Sequence, residues 1–594
     1  MTTQPAVDTS GVPPRPDAGS LSGETTVDCR IPIVIGITGH RDPRPDCVET
    51  LRATVLSLLE EKRTAFPNSP LWLLSGLAEG ADSLVAEEFL ALPDARLVAV
   101  LPFPKEEFER DFSTETTLAT FHRLLEKSSC QVVLAPAFDS LHGDRDAAYE
   151  KVGTYLVRHS HILLALWDGQ IAGKQGGTSH VVQMQFQGLP DDLAPYRRPF
   201  DPVDVGPVEV LATPRSSGQP LPTSAVGALR VLEPAADADT RSRLNVWNSR
   251  LTCIDNYNRR ITGTARVSAD EISKSAQYLI PADKLESATG LDALAQLRMV
   301  FATADATATH LQRTTQGWYK WLLLLFVTAM LAVQLYGGPI MWVGLMGTYL
   351  LLFLMIARLD RKKDQDEEDY FEIRGLAEGL RVQFFWKLTG VKASAADVYI
   401  RGQQDVLGWI PVAIRTTEIG SESRPVPPGA VDMARQHWVQ DQCRYFRGAS
   451  GKIGAAEREK KKADMAGRWT SVIRWFGIVA ALLTVILSLL AESVGDEPLQ
   501  WLLVISGMAL LGVSAINNFA SSMAWSEQAM RYGKMGTYFT RALRALDKMR
   551  ELEPAERSQK GLGLLYDLGL EALTESGDWV LLHRERPLDF KLEG

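Results

Sequence analysis

The chain has 594 residues, with 63 Lys and Arg against 72 Asp and Glu for a formal charge of −9; at roughly 150 residues per domain this length predicts about four structural units. A composition of 45% hydrophobic and 23% charged residues excludes wholesale disorder, and the acidic balance argues against a dedicated nucleic-acid binder. The cysteines (Cys29, Cys47, Cys130, Cys253, Cys443) are scattered without a CxxC pair, which excludes a disulfide scaffold and a zinc knuckle and fits a reducing compartment.

Met1–Asp28 is polar and rich in Pro, Thr and Ser, with no apolar core. It reads as a disordered leader over 1–28, not as a signal peptide. The first domain, over 29–196, opens with Ile31–Thr38 (IPIVIGIT), an apolar β-branched run typical of a strand buried on both faces. The run stops at Gly39–His40–Arg41, and an amphipathic helix follows over 48–63. A second strand, Leu71–Leu74, stops at Ser75–Gly76–Leu77–Ala78–Glu79–Gly80–Ala81–Asp82 before a helix through Leu90. Strands at Arg96–Leu101 (closed by Pro102), Val132–Ala135 and Ile162–Leu166 follow, with a helix over 149–160 between the last two. After Trp167–Asp168–Gly169 comes the glycine-rich loop Gly173–Thr178, and a helix begins near Ser179. Alternating strands and helices predict a doubly wound parallel sheet, whose ligands lie at the carboxyl ends of the strands. Glycine turns leading into helix N-termini present backbone N–H groups to anions, and Arg41 adds charge-assisted bonds.

The segments GITGHR, SGLAEGAD, LPFP…DF and LWDG…GGT, in this order over residues 30 to 190, resemble the SLOG superfamily. SGLAEGAD is similar to the SGLARGID of the competence DNA-processing protein. The late strand and GGT loop are similar to those of the Lonely Guy cytokinin-activating hydrolases. The superfamily also includes ligand-binding heads of melastatin-type TRP channels. The resemblance implies a Rossmann-like fold and a nucleotide-derived ligand of the NAD, ADP-ribose or cyclic nucleotide class, with no tightly bound cofactor. Candidate ligand-binding residues are then Gly36, Thr38, Gly39, His40, Arg41, Ser75, Gly76, Glu79, Gly80, Asp82, Pro102, Asp168, Gly176, Gly177 and Thr178. In the phosphoribohydrolase branch a Glu shortly after the glycine loop and an upstream Arg carry the chemistry. Here Thr178 is followed by Ser179–His180–Val181–Val182, so no catalytic residue is assigned, although Glu79 could substitute if it is not a helix cap. His40 reads either as a phosphate donor or as a loop histidine, and Asp168 as a ribose acceptor or a turn cap. His159 and His161 without a third ligand make a poor metal site, so no metal is expected.

Residues 197–290 read as a linker and helical connector, with one strand at Val208–Leu211 and a helix over 244–261. A helix over 291–321 runs into the first of four apolar segments, 321–335, 341–357, 475–491 and 501–516. Each has 15–17 uncharged residues, somewhat short of the roughly 20 that cross a bilayer. Trp318, Tyr319, Tyr336, Trp342, Trp475 and Trp501 extend them as interfacial aromatics. The links Gly337–Ile340 and Glu492–Gln500 lack Lys and Arg. Arg313, Lys320, Arg358, Arg361–Lys363, Lys460–Lys462, Arg468, Arg474, Arg531 and Lys534 flank the opposite ends. The positive-inside rule then places both termini and the middle segment in the cytoplasm. The expected fold is an α/β Rossmann-like parallel sheet domain plus an α-helical transmembrane domain of four spans in two hairpins, with cytoplasmic helices. The hairpins fall in 291–390 and 471–594, and a cytoplasmic helical segment over 391–470 separates them. Gly344, Gly347, Ser506, Gly507, Gly512 and Ser514 fit either close helix contacts or a pore wall, and no ionisable side chain lies at depth for a proton relay.

A SLOG head joined to membrane hairpins and long cytoplasmic helices resembles the SLOG-associating transmembrane (SLATT) effectors of bacterial conflict systems, whose usual unit has two spans. The resemblance implies a nucleotide sensor coupled to a membrane effector in antiphage defence, in the bacterial inner membrane. Its partners would be a small nucleotide-like ligand, the lipid bilayer and further copies of itself, not nucleic acid. The alternative is a membrane-tethered nucleotide or NAD glycohydrolase.

Overall fold

The computed structural model describes residues 28–139, 143–171, 173–195, 204–218, 225–232, 240–263, 267–286, 292–336, 343–400, 407–421, 426–449, 451–489 and 496–584. The N-terminal part is built on β1 (Ile33–Gly39), β2 (Leu71–Ser75), β3 (Arg96–Leu101), β4 (Cys130–Val133), β5 (Ile162–Trp167), β6 (Val208–Ala212) and β7 (Leu229–Leu232). Their order across the sheet is β4-β3-β2-β1-β5-β6-β7. All neighbours are parallel except β6 and β7. The expected all-parallel sheet is therefore a mixed one with an antiparallel edge.

The alternation in β1 explains its apolar run. Ile33, Ile35 and Ile37 join the core beneath α1 (Val48–Ala65), α2 (Ala81–Phe89) and α3 (Glu115–Lys127). Val34 faces the opposite side with Val152 and Leu156 of α4 (Arg145–His159). α5 (Thr178–Gln187) covers β5 and β6 with Val181, Val182 and Met184. The chain winds from β1 outward to β4 and then crosses to β5 on the other side, so β1 and β5 form the switch point where a doubly wound sheet opens a crevice. The fourth strand starts two residues before the position expected from sequence, because Cys130 pairs with Val98.

The segment read as a linker is largely tied to the head: it supplies β6 and β7, and α6 (Thr240–Thr262) docks under β1. Asn258 of α6 accepts the Ile31 N–H at 2.9 Å and donates to the Ile31 carbonyl at 2.7 Å. Asp255 accepts from the Asn68 backbone and side chain and from Ser69. These bonds satisfy backbone groups at the sheet's lower end that would otherwise be buried without partners.

The remainder is helical: α7 (Ala269–Leu279), α8 (Asp292–Tyr336), α9 (Val343–Thr389), α10 (Trp409–Thr416), α11 (Ala455–Leu489), α12 (Asp496–Ser522), α13 (Trp525–Met549) and α14 (Pro554–Arg584). As expected, the helix before the first apolar segment continues into it without a break. α8 has 45 residues and is roughly 68 Å long at 1.5 Å per residue. α9 has 47 residues and carries the second apolar segment on without a break to Thr389. Among the described residues four helices are long and apolar enough to cross a membrane, and little of each apolar stretch is buried. α8 packs along α9 and on α12, and α11 packs along α12. Gly477 abuts Ala509, where an added Cβ would come within 2.7 Å, and Gly507 abuts Gln334. At these two positions the small residues serve close helix contacts. The short links expected between the paired segments lie outside the described residues, apart from residues 496–500, which begin α12. A buried aromatic core around Trp386, Trp438, Phe385 and Phe539 joins α9, α13 and α14 with the irregular helix over 430–447. Trp386 donates to the Leu565 carbonyl at 3.1 Å.

Candidate functional site

A cleft of about 270 Å³ opens at the carboxyl ends of β1 and β5, where the winding predicts one. It gathers Thr38, Gly39, His40 and Arg41 from the end of β1, Gly76 and Asp82 from the β2–α2 turn, and Pro102 from β3. Asp168 comes from β5, and Gly176, Gly177 and Thr178 from the glycine loop. These are eleven candidate residues from five separate segments.

The other four candidates lie outside the lining. Gly36 sits on the sheet face, where a Cβ would come within 2.8 Å of the Ser160 Oγ; it lets the end of α4 close on β1. Ser75 is fully buried, and its Oγ accepts the Leu77 N–H at 3.1 Å. Glu79 accepts from the Ser113 N–H and hydroxyl at 3.1 and 2.9 Å. It pins a neighbouring loop and lies outside the cleft lining. Gly80 has φ +87°, and a Cβ there would collide with the Arg41 carbonyl. It supports the rim from behind. Gly80→Ala is expected to destabilise the protein by at least ~2 kcal/mol, because it combines an unfavourable φ with that collision; thermal unfolding checks it.

His40 is locked into the rim. Its N–H donates to the Leu166 carbonyl at 3.2 Å, and its carbonyl accepts from Ala81 at 3.0 Å. Its Nε2 lies 3.1 Å from both the backbone nitrogen and Oδ1 of Asp168. Burial holds the imidazole below its ordinary pKa against the attraction of Asp168. Burial favours the neutral ring, whose Nε2 accepts the Asp168 N–H. Asp168 also accepts the Gln170 N–H at 3.0 Å, so it caps its own turn while lining the cleft.

Arg41 donates to the Tyr149 hydroxyl at 2.7 Å and lies 5.1 Å from its ring centroid. The Tyr149 hydroxyl in turn bonds the Asp111 carboxylate, and burial pushes the phenol pKa up. The guanidinium also donates to the Asp111 carbonyl at 3.4 Å and lies 3.9 Å from the Asp111 carboxylate; at the cleft edge, 39% exposed, it keeps further donors for an anion. Asp82, in the first turn of α2, is the opposite case. Burial pushes its carboxyl up to about 7, despite a backbone bond to Ala78 and the nearby Arg41.

Sequence reasoning missed Tyr149, Gln170, Lys174 and Arg215 as lining residues. Arg215 follows β6 and is held by Asp42 at 2.8 Å. An apolar run ending in Thr213–Pro214–Arg215 was its one available signal. His159 and His161 are both buried away from the cleft; His161 Nδ1 accepts the Val34 N–H at 3.2 Å, and burial pushes its pKa down to about 3. With Arg41, Lys174 and Arg215 around it, the helix starts of α2 and α5 at its wall, and Asp82 and Asp168 inside, the cleft offers anion donors beside hydroxyl acceptors. Compared with known families and curated proteins, the chain matches no family model and no curated sequence.

Proposed function

We propose that the cleft binds a phosphate-bearing, nucleotide-derived ligand of the NAD, ADP-ribose or cyclic nucleotide class and that its occupancy controls an oligomeric membrane effector. The observation that carries this reading is the position of α4. Tyr149, Val152, Gly153 and Leu156 line the cleft. On the same helix, the Tyr155 hydroxyl accepts the Gly420 N–H at 3.3 Å and Arg158 donates to Asp397 at 3.0 Å. The turn at 394–397 is bound to α9, whose Gln383 Oε1 accepts the Ala395 N–H at 2.7 Å. α9 then runs without interruption into its apolar half. A ligand that favours one placement of α4 shifts the helices beyond it by its differential affinity.

The likeness to SLOG heads and SLATT effectors supports this assignment, as does the anion-donor character of the rim. In this reading the four apolar helices form two membrane hairpins in a bacterial inner membrane, with both termini cytoplasmic and a role in antiphage defence. Thermal unfolding of the whole protein with a panel of nucleotides tests the binding step, since a ligand at 100 times its Kd adds ~2.7 kcal/mol of stability. Arg41→Gln is expected to weaken that ligand about 10- to 100-fold, the worth of a charge-assisted bond to phosphate. A panel with no stabilising nucleotide contradicts the proposal.

One observation favours a second reading, the glycohydrolase. Asp82 is a buried carboxyl that titrates near neutral pH inside the cleft, as a general acid–base group requires. Chromatography for released base after incubation with NAD or nucleoside monophosphates separates turnover from binding.

A further inference from the structure

We infer that a ring of cations at one end of the apolar helices binds the phosphate headgroups of anionic phospholipids. The inference rests on the reading that these helices span a bilayer. Contacts between helices fix a common height for the ring. Trp318 of α8 donates to Asp366 of α9 at 3.2 Å, and Lys362 of α9 lies 5.3 Å from the Trp318 ring centroid. Tyr319 packs against Phe519 of α12 with centroids 6.2 Å apart. Thr470 of α11 donates to Asn517 of α12 at 3.3 Å.

At this height, or about one turn toward the apolar side, stand Lys320, Arg358, Arg361, Arg468 and Arg474. All five are exposed, and none has an ion pair among the described residues. Other cations of the same helices are paired nearby. Lys363 is fully buried between Asp360 at 3.1 Å and Asp364 at 3.0 Å, Arg313 meets Glu271 at 2.9 Å, and Lys461 and Lys462 meet Glu457 and Glu459 at 2.8 Å. In a chain with more acids than bases, cations left without acids at one level point to anions from outside the protein. Trp321, Trp469 and Trp475, each more than half exposed, stand beside them, and exposed Trp is the residue of the headgroup layer. Long Lys and Arg stems reach that layer from within the apolar zone. An anionic lipid surface supplies phosphates in a plane, matching cations set in a ring around several helices.

The test uses the purified full-length protein in a neutral detergent, with its thermal midpoint followed as phosphatidylglycerol or phosphatidylcholine is added. Phosphatidylglycerol is expected to raise the midpoint at low salt and phosphatidylcholine not to. Each single Gln substitution in the ring is expected to weaken the response about fivefold, and the fivefold variant K320Q/R358Q/R361Q/R468Q/R474Q roughly 100-fold or more. For wild type, 0.5 M salt should remove most of the response by screening, which tests the site even if the variant does not fold. Equal responses to the two lipids, a variant that responds like wild type, or a response that survives salt overturns the lipid site and leaves the spans standing. Failure of wild type to float with vesicles after carbonate extraction overturns the spans and the site together.

Discussion

Asp82→Asn is expected to stabilise the protein at pH 8 by ~2–4 kcal/mol and to leave its stability within ~1.5 kcal/mol of wild type at pH 5. The carboxyl titrates near 7 in the folded state because it is buried, whereas in the unfolded chain it titrates near the ordinary aspartate value of about 3.9. Between these values the folded state holds a proton that the unfolded state has released. Stability is therefore lost as the pH rises from about 4 through 7, and the full penalty stands above 7. Asn has no charge to bury and escapes it. The cost is concentrated in a cleft residue, as expected where function opposes stability. Anion binding follows the same titration: an ionised Asp82 beside Gly76 repels a phosphate, so affinity for the ligand should fall as the pH passes 7 in wild type and stay level in Asp82→Asn. Thermal unfolding and ligand titration at pH 5, 7 and 8 check both arms.

Asp397→Ala is expected to cost ~3–5 kcal/mol, the loss that follows when one partner of a buried ion pair is removed and the other stays behind. Asp397 is buried and accepts from Arg158 of the head at 3.0 Å and from Arg415 of α10 at 3.2 Å. Arg415 keeps Asp204 at 3.1 Å, so the damage falls mainly on the head-to-helix junction. The head and the helical part should then unfold as two separate transitions in calorimetry where wild type shows a shared one. Ligand binding to the cleft should survive, because Asp397 lies outside it. A single shared transition, unchanged from wild type, contradicts the role given to α4.

Most of the head was legible in the sequence because its strands are buried on both faces, which turns Ile31–Thr38 and Arg96–Leu101 into unbroken apolar runs. β6 was readable as a strand, but its place in the sheet was not. The Pro- and Asp-rich stretch before it reads as a linker, and joining a sheet edge is a long-range event without a local mark. Gly36 and Gly80 show the limit of reading glycines. Each is required by a close backbone or helix approach, yet the sequence does not say whether ligand or protein stands opposite, and here it is Ser160 and the Arg41 carbonyl. Tyr149 was seen only as part of a helix. Its role at the cleft depends on the rotation of α4 over the sheet, which the helical period leaves open. The apolar helices were legible from missing charges alone, whereas the fusion of α9 through Arg358–Lys363 needed the inward pairing of Lys363 with Asp360 and Asp364.

The most direct measurement is solute release from phosphatidylglycerol-containing vesicles that carry the whole protein, with a panel of NAD-derived and cyclic nucleotides added on the side of the head. The account predicts release by at least one of them, with the dose for Arg41→Gln displaced upward about 10- to 100-fold. Intact vesicles with every nucleotide, or an Arg41→Gln response at the wild-type dose, would contradict it.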